Sequence, residues 1–400
     1  MHPANIKDLF LLDPRVVYLN HGSFGATPKP VFKVYQEWQR ELEEQPVHFF
    51  IDGLMVELAK ARNALASYLH ADAQDLAFIP NATHAVNLVA RSLNLQPGDE
   101  VLSSNQEYGA CNNIWEFICQ KTGAHYIRQP IPFPIASQEE VLDQLWQGVT
   151  PRTKIIFLSH ITSPTAVCFP VESICRRARQ ASILTFVDGA HAPGQIPLDL
   201  ESIGADFYTG NCHKWMLAPK GSAFLYTRRE VQSMIEPLVV SWGWGEDSPF
   251  ETGSRYLDNL QWSGTNDYSA YLSVPAAIRF QADHDWERIR EDCHQILHGA
   301  LERISKLTGI GSPYPLNGTF FYQMAVVPLP PIADIKGFKK RLYDEFHIEV
   351  PCANWEDHQF MRISVQGYNT QADIDSLLIA LETLLQTERD TRFPRQSASD

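Results

Sequence analysis

Two stretches decide the fold: Ile183-Leu-Thr-Phe-Val-Asp-Gly-Ala-His191 and Gly204-Ala-Asp-Phe-Tyr-Thr-Gly-Asn-Cys-His-Lys214. Each is a short apolar run that breaks into polar residues. Ile183–Val187 runs into Asp188 and His191, and Asp206–Thr209 runs into Asn211, His213 and Lys214. Runs of this length, apolar without strict alternation, read as strands buried on both faces. Further runs of the kind are Leu76–Ile79, Glu100–Ser103, Ala124–Ile127, Lys154–Ser159 and Ser222–Tyr226. Helical patterns separate most of them, among them Ala85–Leu93, Cys111–Gln120, Glu139–Leu145 and Ser173–Gln180. Strands alternating with helices predict an α/β fold with a mainly parallel sheet covered by helices.

On either side the pattern changes. Upstream, the turn-rich His21-Gly-Ser-Phe-Gly25 precedes amphipathic helices that start near Thr27-Pro-Lys-Pro30 and Leu54. Downstream of about residue 270, the helices Val274–Asp283 and Trp286–Thr308 lead into the strands Phe320–Pro328 and Met361–Val365. The expected organisation is an N-terminal segment 1–22, a large domain 23–270, a smaller α+β domain 271–390 and a frayed tail 391–400.

Composition narrows the function. The chain has 400 residues, 44% of them hydrophobic, and 33 basic against 47 acidic residues leave a net charge of −14. No basic footprint for nucleic acid or an acidic membrane is present. No apolar run is long enough to span a bilayer, and the opening MHPANIKDLF lacks the pattern of a signal peptide. The seven cysteines form no C-x-x-C pair and no zinc-finger spacing. Reduced thiols in a cytoplasmic protein, with no metal, are the expectation.

In parallel sheets, ligands bind beyond the carboxyl ends of the strands. Lys214, Asp188, Thr83 and Tyr108 all follow predicted strands. Together they supply what pyridoxal phosphate chemistry uses: an amine, a carboxylate for the pyridine nitrogen, a hydroxyl at a helix start for the phosphate, and a ring for stacking. Singly, each has a plainer structural role, as a surface charge, a turn residue, a helix cap or a loop aromatic. Their recurrence at successive strand ends of one sheet favours the joint role.

These blocks resemble the class V aminotransferase family of fold-type-I pyridoxal phosphate enzymes. The resemblance extends over nearly the whole chain, through Tyr18-Leu-Asn-His-Gly-Ser-Phe-Gly25, Glu107-Tyr-Gly-Ala110, Ser159-His-Ile-Thr-Ser-Pro-Thr165, Val187-Asp-Gly-Ala-His-Ala-Pro193, Gly204–Trp215, Val240-Ser-Trp-Gly243 and Arg362-Ile-Ser364. Within the family the chain looks most like the isopenicillin N epimerases. The resemblance implies a fold-type-I large domain with a small C-terminal domain. It implies Lys214 as the Schiff-base lysine, Asp188 as the pyridine partner with His191 beside it, and Tyr108 against the ring. Ala82, Thr83, Asn211 and His213 match phosphate-side positions. Ser163 stands where relatives often carry Asn near the ring hydroxyl. Thr265, in Gly264-Thr265, matches a segment reaching the phosphate of a neighbouring subunit, which implies a homodimer with shared sites. Arg362 matches the arginine that holds the substrate carboxylate, a task suited to a planar fork. Asn20 and His21 are expected on the substrate side.

The implied reaction acts at the α-carbon of a small amino-acid substrate, by removal and return of the α-proton as in an epimerase. The alternatives are a C–S β-lyase, an aminotransferase, or a non-enzymatic protein that only binds the cofactor. Epimerisation needs a second acid, for which Tyr108 and His21 are candidates. A desulfurase needs a nucleophilic cysteine on a long loop before the carboxylate arginine. Cys352 lies only 10 residues before Arg362, which disfavours that activity.

Overall fold

The computed structural model of the chain describes residues 4–245, 251–316 and 318–392. It contains the strands β1 (Val17–Tyr18), β2 (Leu76–Ile79), β3 (Glu100–Ser104), β4 (His125–Gln129), β5 (Thr153–Ser159), β6 (Leu184–Asp188), β7 (Phe207–Asn211), β8 (Ala223–Thr227), β9 (Met324–Pro328), β10 (Ile348–Glu349), β11 (Cys352–Trp355) and β12 (His358–Ser364). Two compact units divide them, one running from Gly22 to Trp286, the other joining the residues up to His21 to those from Glu287 onward.

The first unit is built on a seven-stranded sheet in the order β2-β8-β7-β6-β5-β3-β4. All strands run parallel except β8, which is antiparallel to both β7 and β2. Phe157, Phe186 and Phe207 sit fully buried on the three central strands, with Trp115 from the helix Gly109–Thr122 against Phe157. Each buried ring contributes on the order of 2–3 kcal/mol, which holds the strand ends in register. The helix Val274–Asp283 packs on the helices Lys29–Glu44 and Leu54–Leu69 of this same unit. The units therefore divide after Trp286, not near residue 270 as patterning suggests.

In the second unit, β11, β12 and β9 form an antiparallel sheet. The expected N-terminal segment belongs here from residue 4 as far as His21, with Gly22 in the first unit, and β1 pairs in parallel with β10, Val17 opposite Ile348. The last helix runs Gln371–Arg392, so Thr391 and Arg392 of the expected tail are helical, and 393–400 lie outside the described residues. Among the described residues, no helix is long and apolar enough to cross a membrane and no group of acidic, His or Cys side chains could hold a metal ion.

Candidate active site

Asp188 is the last residue of β6 and is 4% exposed. Its Oδ1 accepts the Ala190 N–H at 2.9 Å and its Oδ2 accepts the Cys111 thiol at 3.5 Å. Burial pushes its pKa up, while these donors and the charge of Lys214 pull it back down. Lys214 lies in the turn after β7, where its Nζ is 3.3 Å from Nε2 of His191. The far nitrogen of that imidazole, Nδ1, receives the indole N–H of Trp215 at 3.4 Å. The lysine backbone is seated by Gly25. A Cβ there would stand 2.1 Å from the His213 carbonyl, and φ is +70°, so only glycine permits the approach.

The expected phosphate side assembles around the start of the helix Ala82–Ser92. The N-cap Asn81 accepts the His84 N–H at 2.9 Å. Asn211, at the end of β7, ties sheet to helix by accepting the Ala82 N–H at 2.9 Å. The Ala82 amide is therefore already engaged. The Thr83 hydroxyl has no hydrogen bond among the described residues, and it sits in the first helical turn, where the dipole favours an anion. His213 Nδ1 lies 3.0 Å from the Ser222 carbonyl, so Nδ1 carries the proton and Nε2 the lone pair. Burial lowers its pKa to about 4.

Tyr108 is the N-cap residue of the helix Gly109–Thr122, with its ring about half exposed. The preceding Glu107 is buried and holds two strand ends together. It accepts Ser104 Oγ of β3 at 2.6 Å, and Ser159 N and Oγ of β5 at 2.8 and 2.6 Å. Ser159 is the register partner of Asp188. Ser163 is half-buried in the turn after β5, which is closed by Val167 N–H on Thr162 Oγ1 at 2.9 Å. Thr265 is exposed, between the helices Arg255–Gln261 and Ser269–Leu272.

The remaining expected residues lie in the other unit. Arg362 is on β12 opposite Val326 of β9, half-buried, its guanidinium lowered to about 10 by burial. Cys352 is in a strand, paired with Met361, and burial raises its thiol to about 12. A protonated thiol held in a strand is a poor nucleophile. Asn20 donates to Glu349 Oε1 at 3.0 Å. His21 is wholly buried, with Nδ1 2.9 Å from Tyr368 Oη and Nε2 3.4 Å from the Gln366 amide.

Patterning passes over Cys111, Trp215 and Glu107. Cys111 and Trp215 read as core residues, and only their polar hydrogens reaching buried acceptors distinguish them. Glu107 carries a readable signal, a carboxylate three residues beyond the end of β3.

The family model for aminotransferase class-V matches residues 17–377. The chain is 37% identical to an isopenicillin N epimerase from Amycolatopsis lactamdurans, over 95% of this chain and 98% of that protein. It is 30% identical to putative L-cysteine desulfhydrase 1 from Oryza sativa subsp. japonica, over 92% and 83% respectively. The fold is shared with a solved C-DES variant that carries glycine covalently linked to its PLP cofactor, with TM-score 0.78, 20% identity, and coverage of 92% of this chain and 97% of that one.

Proposed function

Because the chain belongs to the class V aminotransferase family, we propose that it is a pyridoxal phosphate enzyme that epimerises the α-carbon of an amino-acid substrate. The observation that carries the epimerase reading is the 37% identity to isopenicillin N epimerase over nearly the whole of both chains. The residues present fit the cofactor. A buried carboxylate held by two donors, a hydroxyl at a helix N-terminus, a half-exposed ring and an amine all belong to one unit. Asp188 would hold the pyridine nitrogen, Tyr108 the ring face, and Thr83, with Asn211 and His213 around it, the phosphate. His191 and Ser163 would border the ring. When bound, the cofactor draws electrons from the substrate α-carbon.

In this reading Lys214 Nζ takes the α-proton, and the Tyr108 hydroxyl returns a proton to the opposite face. His21, enclosed by Tyr368 and Gln366, is the less suited second acid. Arg362 would hold the substrate carboxylate, with Asn20 and His21 shaping the substrate side. Thr265, exposed on its own chain, would complete the phosphate cradle of a second copy in a homodimer. The cysteines, all free and six of them buried, support a reducing, cytoplasmic setting.

The likeness to an L-cysteine desulfhydrase supports a second reading, C–S β-lysis, which would use the same Lys214. Incubation in deuterated water with isopenicillin N, L-cysteine and a panel of L-amino acids separates the two. Deuterium at Cα with inversion is the expected result. Pyruvate with ammonia would replace it by the lyase, and a keto acid by an aminotransferase. Borohydride reduction and peptide mapping should place the cofactor on Lys214, and Lys214→Ala should abolish the label.

A further inference from the structure

We propose that Trp215 is a positioning residue that locks the tautomer of His191 and thereby sets the protonation of the Lys214 amine. The inference rests on Lys214 being the reactive amine. An indole nitrogen only donates, so the 3.4 Å contact from Trp215 Nε1 makes His191 Nδ1 an acceptor. A neutral imidazole with a lone pair on Nδ1 carries its proton on Nε2. That Nε2–H faces Lys214 Nζ at 3.3 Å. An ammonium has no lone pair to receive it, so the contact is a hydrogen bond only when the amine is neutral. A neutral amine is the nucleophilic form that loading of the cofactor requires.

The lock is built into the backbone. Trp215 is fully buried, and its carbonyl accepts Gln281 Nε2 at 3.2 Å. Gly194, at φ +85°, presses so closely on Trp215 that a Cβ would lie 2.3 Å from its carbonyl carbon. His191 is anchored from the other side, its carbonyl accepting Gln195 Nε2 at 2.7 Å. Both side chains are buried, His191 at 3% exposure and Trp215 at 0%.

Other charges bear on the same amine. Asp188, from the end of β6, favours the ammonium. The Cys111 thiol stays protonated, and His213 is held neutral by burial beside Lys214 and Lys220. The locked Nε2–H opposes Asp188. Without the indole N–H, the imidazole is free to present its Nε2 lone pair instead, which accepts a hydrogen bond from the ammonium, keeps the proton on Lys214 and lets Asp188 prevail.

The test is the pH profile of cofactor loading. Pyridoxal phosphate is added to the full-length chain stripped of cofactor, and the rate of appearance of the visible band is followed for the wild type and Trp215→Phe, which keeps a ring and loses the donor. The expected result is a midpoint raised by about one pH unit, making loading roughly tenfold slower near pH 7 and equal at high pH. A packing defect would slow loading at every pH without moving the midpoint, and that outcome overturns the inference. Histidine-selective ¹⁵N NMR of the stripped wild-type chain, with His191→Gln for assignment, reads the tautomer even if Trp215→Phe fails to fold. A proton on Nδ1 of His191 overturns the inference. Peptide mapping of the loaded chain keeps the two ideas apart. A label on another lysine refutes the Lys214 reading, whereas a label on Lys214 with an unmoved midpoint refutes only the role of Trp215.

Discussion

The thiol of Cys111 donates to Oδ2 of Asp188 across 3.5 Å, while the Ala190 N–H occupies Oδ1. A residue in a helix thus shares the orientation of the carboxylate with the turn that follows β6. Burial keeps the Cys111 pKa well above its usual range, so the proton stays on sulfur and the bond has one polarity.

Asp188→Asn should retain cofactor but lose two or more decades in turnover, about 3 kcal/mol of transition-state stabilisation, because an amide cannot keep a proton on the pyridine nitrogen. Cys111→Ala should cost less, about threefold to tenfold, the worth of one weak donor. Cys111→Ser should restore most of it. Steady-state kinetics on all three decide the matter, and equal losses in Ala and Ser would reduce Cys111 to packing.

Glu107 should make stability fall with pH. Burial is the largest influence on it and raises its pKa from 4.5 to about 7, with Asp188 adding to the rise and the serine donors opposing it. The native state therefore holds a proton that the unfolded chain gives up near 4.5. The contribution is fully present below about pH 4.5 and is lost as pH rises to about 7, a change on the order of 3 kcal/mol. Urea unfolding at pH 5 and pH 7.5 should show this drop in the wild type and a smaller one in Glu107→Gln. Parallel drops would remove Glu107 as the cause.

Gly25→Ala should damage the lysine turn specifically. A positive φ costs alanine about 1 kcal/mol, and the contact with the His213 carbonyl adds more. The expected outcome is a melting temperature lower by several degrees and weak cofactor binding, read by calorimetry and visible absorbance. Unchanged loading would show that the turn absorbs the methyl group.

Shared sites predict complementation. A chain disabled by Lys214→Ala and another disabled at Thr265 should each be inactive, yet mixed dimers should contain one site with both residues intact. Activity should return in a fraction of verified heterodimers. Folded, dimeric parents whose heterodimers stay inactive would exclude a shared site.

The strand ends that carry the candidate residues were legible because the cues are local. An apolar run ending in Asp188 or Asn211 announces a strand end, and β6 and β7 end at those residues. Leu76–Ile79 and Val274–Asp283 were readable to the residue, since apolar spacing reports burial within one turn or one pleat. The short β1, β10 and β11 left no such trace. Two-residue strands have no period, and the faces of β11 are mostly not buried.

The sequence by itself determined the alternation of strands and helices and the polar residues at or just after the ends of β6 and β7, Asp188 and Lys214 among them. Only the tertiary structure decided the strand order, the reversed β8, the joining of the N-terminal strand to β10, and the contacts of Cys111 with Asp188 and Trp215 with His191. Periodicity is a property of a dozen neighbouring residues. A hydrogen bond between positions 77 apart depends on which surfaces pack together, and no local window contains that information.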